Sequence, residues 1–350
     1  MTRNEESSRS EFNELKQSLY DQVILLREEN ARLKALLAKH SISWEAEPAI
    51  EAGNTESIKQ NELRDYPHPT LVTGEKKMNY GWLTDIHLEF LTNEEAAAFV
   101  KDLASQKMDG LFLTGDISTA RQIESHLQFF EDFYQLPVYF VLGNHDYYGG
   151  EIDSVRSTVK KICKKSCWLH WLPVSGIVPL SKDVCLIGHD GWADGRLGDY
   201  ESSKILLNDY LKIRNFVQAG DVGRLALLNS LGDQAADYLR SILPDALSRY
   251  NQIIVLTHAP PFKEACWHQG KISPDDWLPH FSCKAIGDVL AKFMSGAPDK
   301  QMTVLCGHTH SSGEGQILPN LLVKTGEAKY GAPKIQEIME VTNKKEAVSY

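Results

Sequence analysis

The chain has 350 residues, of which 42% are hydrophobic and 24% are charged, a composition that is ordinary for a soluble globular protein. This length suits one large α/β domain with an appendage and is too long for one average domain. The formal net charge of −10 gives no overall attraction for a nucleic-acid backbone, which weighs against a nuclease.

The beginning of the chain is not a secretory signal, because the segment MTRNEESSRSEFNELKQ has no apolar core. No apolar run approaches the length of a transmembrane helix. The six cysteines fit neither a paired zinc-binding pattern nor a compact disulfide framework, so we expect reduced thiols that mostly pack in the interior. We therefore predict a cytoplasmic protein without a membrane partner.

Residues from about 11 to 40 form one charged, helix-like stretch with an apolar repeat of seven residues. One seam holds Phe12, Leu19, Leu26 and Leu33, and the other holds Val23, Asn30 and Leu37. Asn30 favours a parallel two-stranded pair, because its side-chain amide can bond its counterpart in a second chain. The pattern predicts a coiled coil that forms a homodimer; the alternative is an amphipathic helix that docks on its own domain.

The sequence divides into four parts. Residues 1–40 are assigned to the N-terminal helix, and residues 41–77 to a linker, because they hold several Pro and Gly residues and little apolar periodicity. Residues 78–341 are assigned to a folded domain and residues 342–350 to a tail.

Six short apolar runs recur in the folded domain, each of strand length and bounded by polar or Gly residues. They read YGWLT, GLFLTG, VYFVLG, VCLIG, IIVLT and TVLCG. Helix-like stretches lie between several of them, namely NEEAAAFVKDLASQK with Asn93 as its expected N-cap, ARQIESHLQFFEDFY, residues 222–249 and KAIGDVLAKFM. This alternation of strands and helices predicts an α/β domain.

Five of the strand-like runs end in residues that bind metals or transfer protons. These residues are Asp85 and His87, Asp116, the run Asn144, His145 and Asp146, then His258, and finally His308 and His310. The loops at the carboxyl ends of strands converge on one crevice in α/β sheets, so we expect a single site. A lone His or Asp at such an end is usually a turn residue, but five such ends together predict a metal site.

The residue types and their spacing indicate which metals the site would take. Carboxylates, imidazoles and an amide carbonyl without cysteine suit Mn, Fe, Zn or Co. In Asp85-x-His87 and His308-x-His310, the side chains at positions i and i+2 of an extended backbone would point to the same side. A glycine before Asp116, Asn144 and His308 permits a tight turn and a close approach of the backbone.

These motifs together resemble those of the calcineurin-like metallophosphoesterase superfamily, and the resemblance covers about residues 78–335. It implies an αββα sandwich of four layers with a dinuclear metal centre at the strand ends, which makes residues 78–341 the metallophosphoesterase domain. By this resemblance Asp85, His87 and His310 hold one metal, Asn144, His258 and His308 hold the other, and Asp116 bridges both. The cofactors are then two divalent or trivalent ions, with Mn favoured and Fe, Zn or Co also suitable.

The resemblance also implies catalytic roles. His145 is expected to lie beside the phosphate as general acid or transition-state stabiliser, and Asp146 is expected to orient it. The implied function is hydrolysis of a phosphodiester or a phosphomonoester by attack of a metal-bridging hydroxide. An aspartate at 146 and the segment Ile117-Ser118-Thr119-Ala120 depart from the phosphoprotein phosphatase pattern, which makes a protein Ser/Thr phosphatase less favoured.

His189 and Arg196 follow another apolar run and could contact the phosphorylated substrate, although a structural role explains them equally well. Two other functions stay open. The first is a nuclease in a nucleic-acid-processing assembly that is joined through the coiled coil. The second is a non-catalytic metal-binding scaffold, which the presence of every expected ligand and of His145 makes less favoured.

Overall fold

The computed structural model describes residues 77–342. The predicted helix at residues 1–40, nearly all of the linker at 41–77 and nearly all of the tail at 342–350 lie outside the described residues. The coiled coil and the homodimer therefore stay predictions.

The described residues contain two large sheets and a small hairpin. Their strands are β1 (Met78–Leu83), β2 (Gly110–Thr114), β3 (Val138–Val141), β4 (Leu169–Trp171), β5 (Val178–Pro179), β6 (Val184–Gly188), β7 (Gln252–Leu256), β8 (Trp267–His268), β9 (Lys271–Ile272), β10 (Gln301–Cys306), β11 (Gly313–Leu318), β12 (Leu321–Thr325) and β13 (Glu337–Val341). The first sheet has the order β13-β1-β2-β3-β4, and the second has the order β11-β12-β10-β7-β6-β5. Strands β1 to β4 are parallel, as are β12, β10, β7 and β6, whereas β13, β11 and β5 are antiparallel edges.

Helices connect most of the parallel strands. They are α1 (Asn93–Ser105), α2 (Ile123–Phe129), α3 (Ile152–Lys165), α4 (Leu172–Ser175), α5 (Asp209–Lys212), α6 (Arg214–Arg249), α7 (Leu278–Phe281) and α8 (Lys284–Ser295). Helix α6 is interrupted at Gly220, whose φ of 61° is not helical, so the stretch predicted at 222–249 is its longer part. Helix α1 is capped by Thr92 rather than by the predicted Asn93, because Thr92 and Glu95 exchange the two hydrogen bonds of a capping box.

Apolar side chains of both sheets meet in one buried cluster. Its members from the first sheet include Tyr80 and Phe112, whose rings stack at 4.6 Å, and its members from the second include Leu186, Leu256 and Leu305. Full burial of such a side chain stabilises the fold by about 1.5–3 kcal/mol. Two further clusters join side chains of the first sheet to α1, α2 and α3, and side chains of the second sheet to α6 and α8.

The predicted mixed α/β class is confirmed, because both sheets are built mainly from parallel strands that alternate with helices. All six predicted apolar runs form strands, namely β1, β2, β3, β6, β7 and β10. The cysteines are free thiols, and all but Cys167 are buried. Among residues 77–342, no helix combines the length and the apolar character needed to cross a bilayer.

Candidate metal centre

The predicted ligands lie where strands of the two sheets end next to one another. The backbone N–H of Asp85, after β1, donates to the carbonyl oxygen of Gly115, after β2, at 3.0 Å. The N–H of His308, after β10, donates to both carboxylate oxygens of Asp85 at 3.1 Å. The N–H of His145, after β3, donates to Oδ1 of Asp116 at 2.8 Å. These bonds hold the loops of both sheets together at one edge.

The backbone at the predicted ligands is strained. Seven non-glycine residues of the described chain have a positive φ, and five of them are predicted ligands: Asp85 (47°), His87 (43°), Asp116 (52°), His308 (71°) and His310 (57°). Left-handed conformations of this kind cost energy and cluster at functional sites. The reasoning from an extended backbone is therefore wrong for Asp85-x-His87 and His308-x-His310. Asp85 and His87 still reach one cluster, whereas His310 joins that cluster and His308 lies against His258.

Glycines make room for this cluster, as predicted. A Cβ atom on Gly115 would lie 2.7 Å from Nδ1 of His258, closer than real Cβ atoms approach. Cβ atoms on Gly143 and Gly307 would overlap the carboxylates of Asp116 and Asp85. The glycines before Asp116, Asn144 and His308 therefore permit the close approach of backbone to ligand that the site needs.

The first ligand group consists of Asp85, His87, Asp116 and His310, whose ligand atoms all lie within 4.8 Å of one another. Nε2 of His310 is 3.3 Å from Oδ1 of Asp85 and 3.1 Å from Nε2 of His87. Nε2 of His87 is also 3.7 Å from Oδ2 of Asp116. Three of the four residues are buried, so the group is largely shielded from water.

The second group surrounds the other oxygen of Asp116. Nε2 of His258 lies 3.4 Å from Oδ1 of Asp116 and 3.0 Å from Oδ1 of Asn144. The ring of His308 lies against that of His258, with centroids 5.0 Å apart. Asp116 therefore faces both groups, one with each carboxylate oxygen.

The hydrogen-bond partners of the second group fix which of its atoms are acceptors. Nδ1 of His258 is 2.8 Å from the carbonyl oxygen of Thr114, which can only accept a hydrogen bond. The ring hydrogen is therefore on Nδ1, and Nε2 carries a free lone pair. The amide nitrogen of Asn144 donates to Asp209, which turns its Oδ1 towards His258. Two acceptors therefore face each other at 3.0 Å, an arrangement that a cation between them would stabilise.

His308 is held in the same manner. Its Nε2 is 3.1 Å from the carbonyl oxygen of His280 and must donate a hydrogen bond there, so Nδ1 carries a free lone pair. Burial lowers the pKa of both His308 and His258 to about 4, so both imidazoles are neutral at neutral pH. Neutral imidazoles whose second nitrogen donates to a carbonyl are typical metal ligands.

The carboxylates concentrate negative charge in this buried space. Burial, together with the charges of Asp85 and Asp146, raises the pKa of Asp116 well above its usual range. Burial would also raise the pKa of Asp85, but its hydrogen bond with His310 lowers it instead. Cations at the two groups would offset the repulsion between these carboxylates, so the donor set fits a pair of metal ions.

Comparison with known proteins agrees with this geometry. The sequence model of the calcineurin-like phosphoesterase family matches residues 78–312. The chain belongs to this family. It is therefore a hydrolase that acts on phosphoester bonds.

Solved structures also resemble this phosphoesterase. The phosphopantetheinyl hydrolase PptH from Mycobacterium tuberculosis is 12% identical, with a TM-score of 0.52, over 75% of this chain and 95% of that one. A dimetal phosphatase from Danio rerio is 12% identical, with a TM-score of 0.44, over 71% of this chain and 87% of that one. At 12% identity the likeness to PptH concerns the fold alone. A comparison with curated proteins finds no match.

Glu89 is a site residue of this phosphoesterase that sequence reasoning missed. Its Oε1 lies 3.1 Å from Nδ1 of His87 and 3.1 Å from Nδ1 of His145. Burial would raise the pKa of Glu89, but the hydrogen bonds with His145 and His87 lower it to about 2. The signal was its position two residues after His87, in the 3₁₀ turn Leu88–Phe90 that follows the first motif.

Asp146 bonds to backbone groups of two loops, and its role in orienting His145 stays a prediction. Its carboxylate accepts the backbone N–H groups of Ile117, Ser118 and Gly143, at 3.0, 2.8 and 2.8 Å. A buried carboxylate needs such donors, and these three draw it towards the backbone. Asp146 therefore joins the loops that follow β2 and β3, which positions the residues on them.

The two residues predicted to contact substrate have other partners. Nδ1 of the buried His189 accepts the backbone N–H of Gly191 at 3.2 Å. The guanidinium of Arg196 donates to Asp194 at 3.2 Å and to Asp233 at 2.8 Å. These contacts favour the structural role for both residues, and substrate contact by them stays a prediction.

Asp209 is a second site residue that sequence reasoning missed. Its Oδ1 accepts from the amide of Asn144 at 2.8 Å and from the hydroxyl of Tyr148 at 2.7 Å. The carboxylate is buried and lies at the start of the short helix α5, which carries no motif that would have marked it. Asp209 thus sets the orientation of the Asn144 amide. No other acceptor of the described residues bonds both this amide and the hydroxyl of Tyr148.

We expect Asp209→Ala to weaken binding of one metal ion by about 10- to 100-fold, because the Asn144 amide loses its closer acceptor and keeps the longer bond to the Tyr148 hydroxyl at 3.3 Å. Asp209→Asn keeps an acceptor oxygen and should lose less. Isothermal titration of metal-free protein with Mn²⁺ measures the affinities, and thermal unfolding checks that both variants fold. Equal affinities in the wild type and Asp209→Ala would contradict this role.

Proposed function

We propose that this phosphoesterase binds two metal ions and uses them to hydrolyse a phosphodiester or a phosphomonoester. The observation that carries the proposal is the pair of lone pairs on His258 and Asn144 that face each other at 3.0 Å beside the carboxylate of Asp116. A protein without a cation there would keep three acceptors in contact in a buried space, at a substantial electrostatic cost.

The ligand sets follow from the two groups around Asp116. Asp85, His87 and His310 would hold one ion, and Asn144, His258 and His308 would hold the other. Asp116 would offer one carboxylate oxygen to each ion. Two such cations neutralise charge on the phosphoryl oxygens and activate water for attack on phosphorus. Carboxylate, imidazole and amide ligands support Mn, and they suit Fe, Zn or Co as well.

His145 would act on the leaving group or on the phosphoryl group. Its Nδ1 is bonded to Glu89, and its backbone N–H is bonded to Asp116, so the ring is held beside the shared carboxylate. The carboxylate of Glu89 favours a hydrogen on Nδ1 and leaves Nε2 for the substrate. The ring also stacks on Tyr148, with centroids 4.1 Å apart. These contacts support the role of general acid or transition-state stabiliser.

The proposal also includes the order of the layers, the bounds of the folded domain, the cellular location and the homodimer. The order of layers would be αββα, which is supported by one cluster between side chains of both sheets and two clusters that join a sheet to helices. The folded domain would extend over residues 78–341, and the family match over residues 78–312 supports most of this range. A cytoplasmic location and a homodimer through residues 1–40 rest on the sequence pattern alone.

The experiment that tests the function is hydrolysis of a methyl phosphodiester and the matching phosphomonoester by the full-length protein. With Mn²⁺ we expect turnover of at least one ester, a loss of more than about 100-fold in chelator and recovery when Mn²⁺ is returned. The ratio of the two rates identifies the preferred ester. Turnover that persists in chelator, in protein shown by elemental analysis to be free of metal, would contradict the proposal.

A further inference from the structure

Two aromatic side chains lie exposed beside the metal centre. Phe90 is 52% exposed and Tyr330 is 48% exposed, and their ring centroids are 4.4 Å apart. They come from segments that are far apart in the chain, the 3₁₀ turn Leu88–Phe90 and the loop between β12 and β13. Contiguous apolar surface next to convergent polar groups is a feature of ligand-binding sites.

The two rings border the open side of the centre. The ring of Tyr330 lies 4.7 Å from that of His87, 5.1 Å from that of His310 and 6.1 Å from that of His145. The side chains of His310 and His145 are 25% and 13% exposed, whereas that of His258 is 4% exposed. The most exposed of these three imidazoles, that of His310, thus lies beside Tyr330, which makes this side of the centre a route of access for a substrate.

Backbone hydrogen bonds hold the segments that carry both rings in place. The N–H of Phe90 donates to the carbonyl oxygen of His87 at 3.0 Å. Tyr330 lies in a turn closed by the N–H of Ala332 and the carbonyl oxygen of Lys329 at 3.0 Å, and Ala328 just before it donates to His310 at 3.4 Å. Because both segments are anchored to residues of the centre, little conformational freedom is lost when a ligand contacts the rings.

Resting on the proposed function, we infer that Phe90 and Tyr330 form a platform that stacks a planar aromatic ring of the substrate. The substrate class is a phosphate ester whose alcohol carries such a ring, as a nucleoside does. Aromatic side chains bind planar rings through their faces and edges, and stacking of one base contributes about 1–3 kcal/mol.

The position of the platform assigns the ring to the leaving group. The ring of Tyr330 lies 6.1 Å from that of His145. In the role of general acid His145 acts on the leaving oxygen, and a ring on Tyr330 and Phe90 then belongs to the alcohol that departs. Two rings in contact provide area for one planar group, whereas a long alkyl chain would need an extended groove. An alkyl ligand is therefore the competing occupant, and the experiment must separate it from a planar ring.

The test compares esters that differ only in the ring. The first pair is a nucleoside 5′-monophosphate and ribose 5-phosphate, and the second is their methyl diesters. With Mn²⁺-loaded full-length protein we expect kcat/KM to be at least about 10-fold higher for the ring-bearing member of the hydrolysed pair. In Phe90→Ala this ratio should fall towards one, mainly through a higher KM, whereas Phe90→Tyr should restore it. Val222→Ala, at an exposed position on α6, is the control and should keep the wild-type ratio.

Binding measured without turnover separates the platform from the proposed function. Equilibrium dialysis of Mn²⁺-loaded protein should give at least about 10-fold tighter binding of the nucleoside monophosphate than of ribose 5-phosphate, and Phe90→Ala should remove the difference. Equal binding of the two would overturn the platform, whether or not the esters are hydrolysed. If octyl phosphate binds as tightly as the nucleotide and Phe90→Leu changes neither affinity, the planar ring is ruled out as the occupant. If the nucleotide binds through Phe90 but no ester is cleaved, the proposed function fails and the platform stands.

Discussion

Replacing Asp116 with Asn should lower turnover by about 1000-fold or more and reduce the bound metal from two ions to one or none. Each oxygen of this carboxylate faces a different ligand group, with Oδ1 3.4 Å from Nε2 of His258 and Oδ2 3.7 Å from Nε2 of His87. An amide presents an NH₂ group in place of one oxygen, and this group cannot bind a cation. The variant should therefore lose the shared ligand while it keeps nearly the same shape.

Stability measurements separate this effect from misfolding. Burial and the nearby Asp85 carboxylate raise the pKa of Asp116 well above its usual range, so an ionised Asp116 destabilises the metal-free fold at neutral pH. Asp116→Asn removes that charge, and its metal-free Tm should equal or exceed that of the wild type. The rise in Tm on addition of Mn²⁺ should shrink, because less metal binds to the folded state.

Elemental analysis and turnover with Mn²⁺ complete the test of Asp116. The matched control is Asp199→Asn, since Asp199 is an exposed carboxylate that bonds Ser202 and lies outside both ligand groups. This control should keep two ions and full turnover. Two ions and full turnover in Asp116→Asn itself would show that the carboxylate is not shared.

Most central strands could be predicted from the sequence because they are buried on both faces. Strand β2 and strand β3 are buried at every residue, so each reads as a continuous apolar run. The edge strands were missed, and so was the central strand β12, in which buried and half-buried residues alternate. In β13, exposed and half-buried residues alternate, and β11 begins with Gly-Glu-Gly, so neither segment has the apolar run that marks a central strand.

The predicted ligands lie in one cluster because each is attached to the end of a strand, and strand ends are local in the sequence. Glu89 had a local signal in its position two residues after His87, but its contact with His145 and the contact of Asp209 with Asn144 join residues that are distant in the chain. Glu89 lies 56 residues from His145, and Asp209 lies 65 residues from Asn144. A single sequence carries no signal for such pairs, because they form only when the loops of different strands meet.

The left-handed backbone at five predicted ligands also could not be predicted from residue types. Asp and His adopt a positive φ more readily than most non-glycine residues, but even for them it is uncommon, so residue type does not mark Asp85 or His87. Hydrogen bonds between loops impose it here, for example from the N–H of His87 to the carbonyl oxygen of Asp116 at 3.0 Å. The strain is thus a property of the assembled site and is absent from each motif alone.

Replacing His145 with Ala distinguishes the two roles proposed for this residue. If His145 protonates the leaving oxygen, kcat for an ester with a poor leaving group should fall by about 100- to 10,000-fold. An ester with a good leaving group, such as a p-nitrophenyl ester, needs little protonation, and its kcat should fall far less. If His145 instead stabilises charge on the phosphoryl group, both esters should lose turnover to a similar extent.

Metal content and a second variant make the result specific to the imidazole. His145→Ala should keep two bound ions, because the side chain belongs to neither proposed ligand set. Glu89→Gln keeps an acceptor near Nδ1 of His145 but removes the charge, so its loss on the poor leaving group should be smaller than that of His145→Ala. Full turnover of both esters by His145→Ala would exclude both roles, and catalysis would then rest on the residues around Asp116 alone.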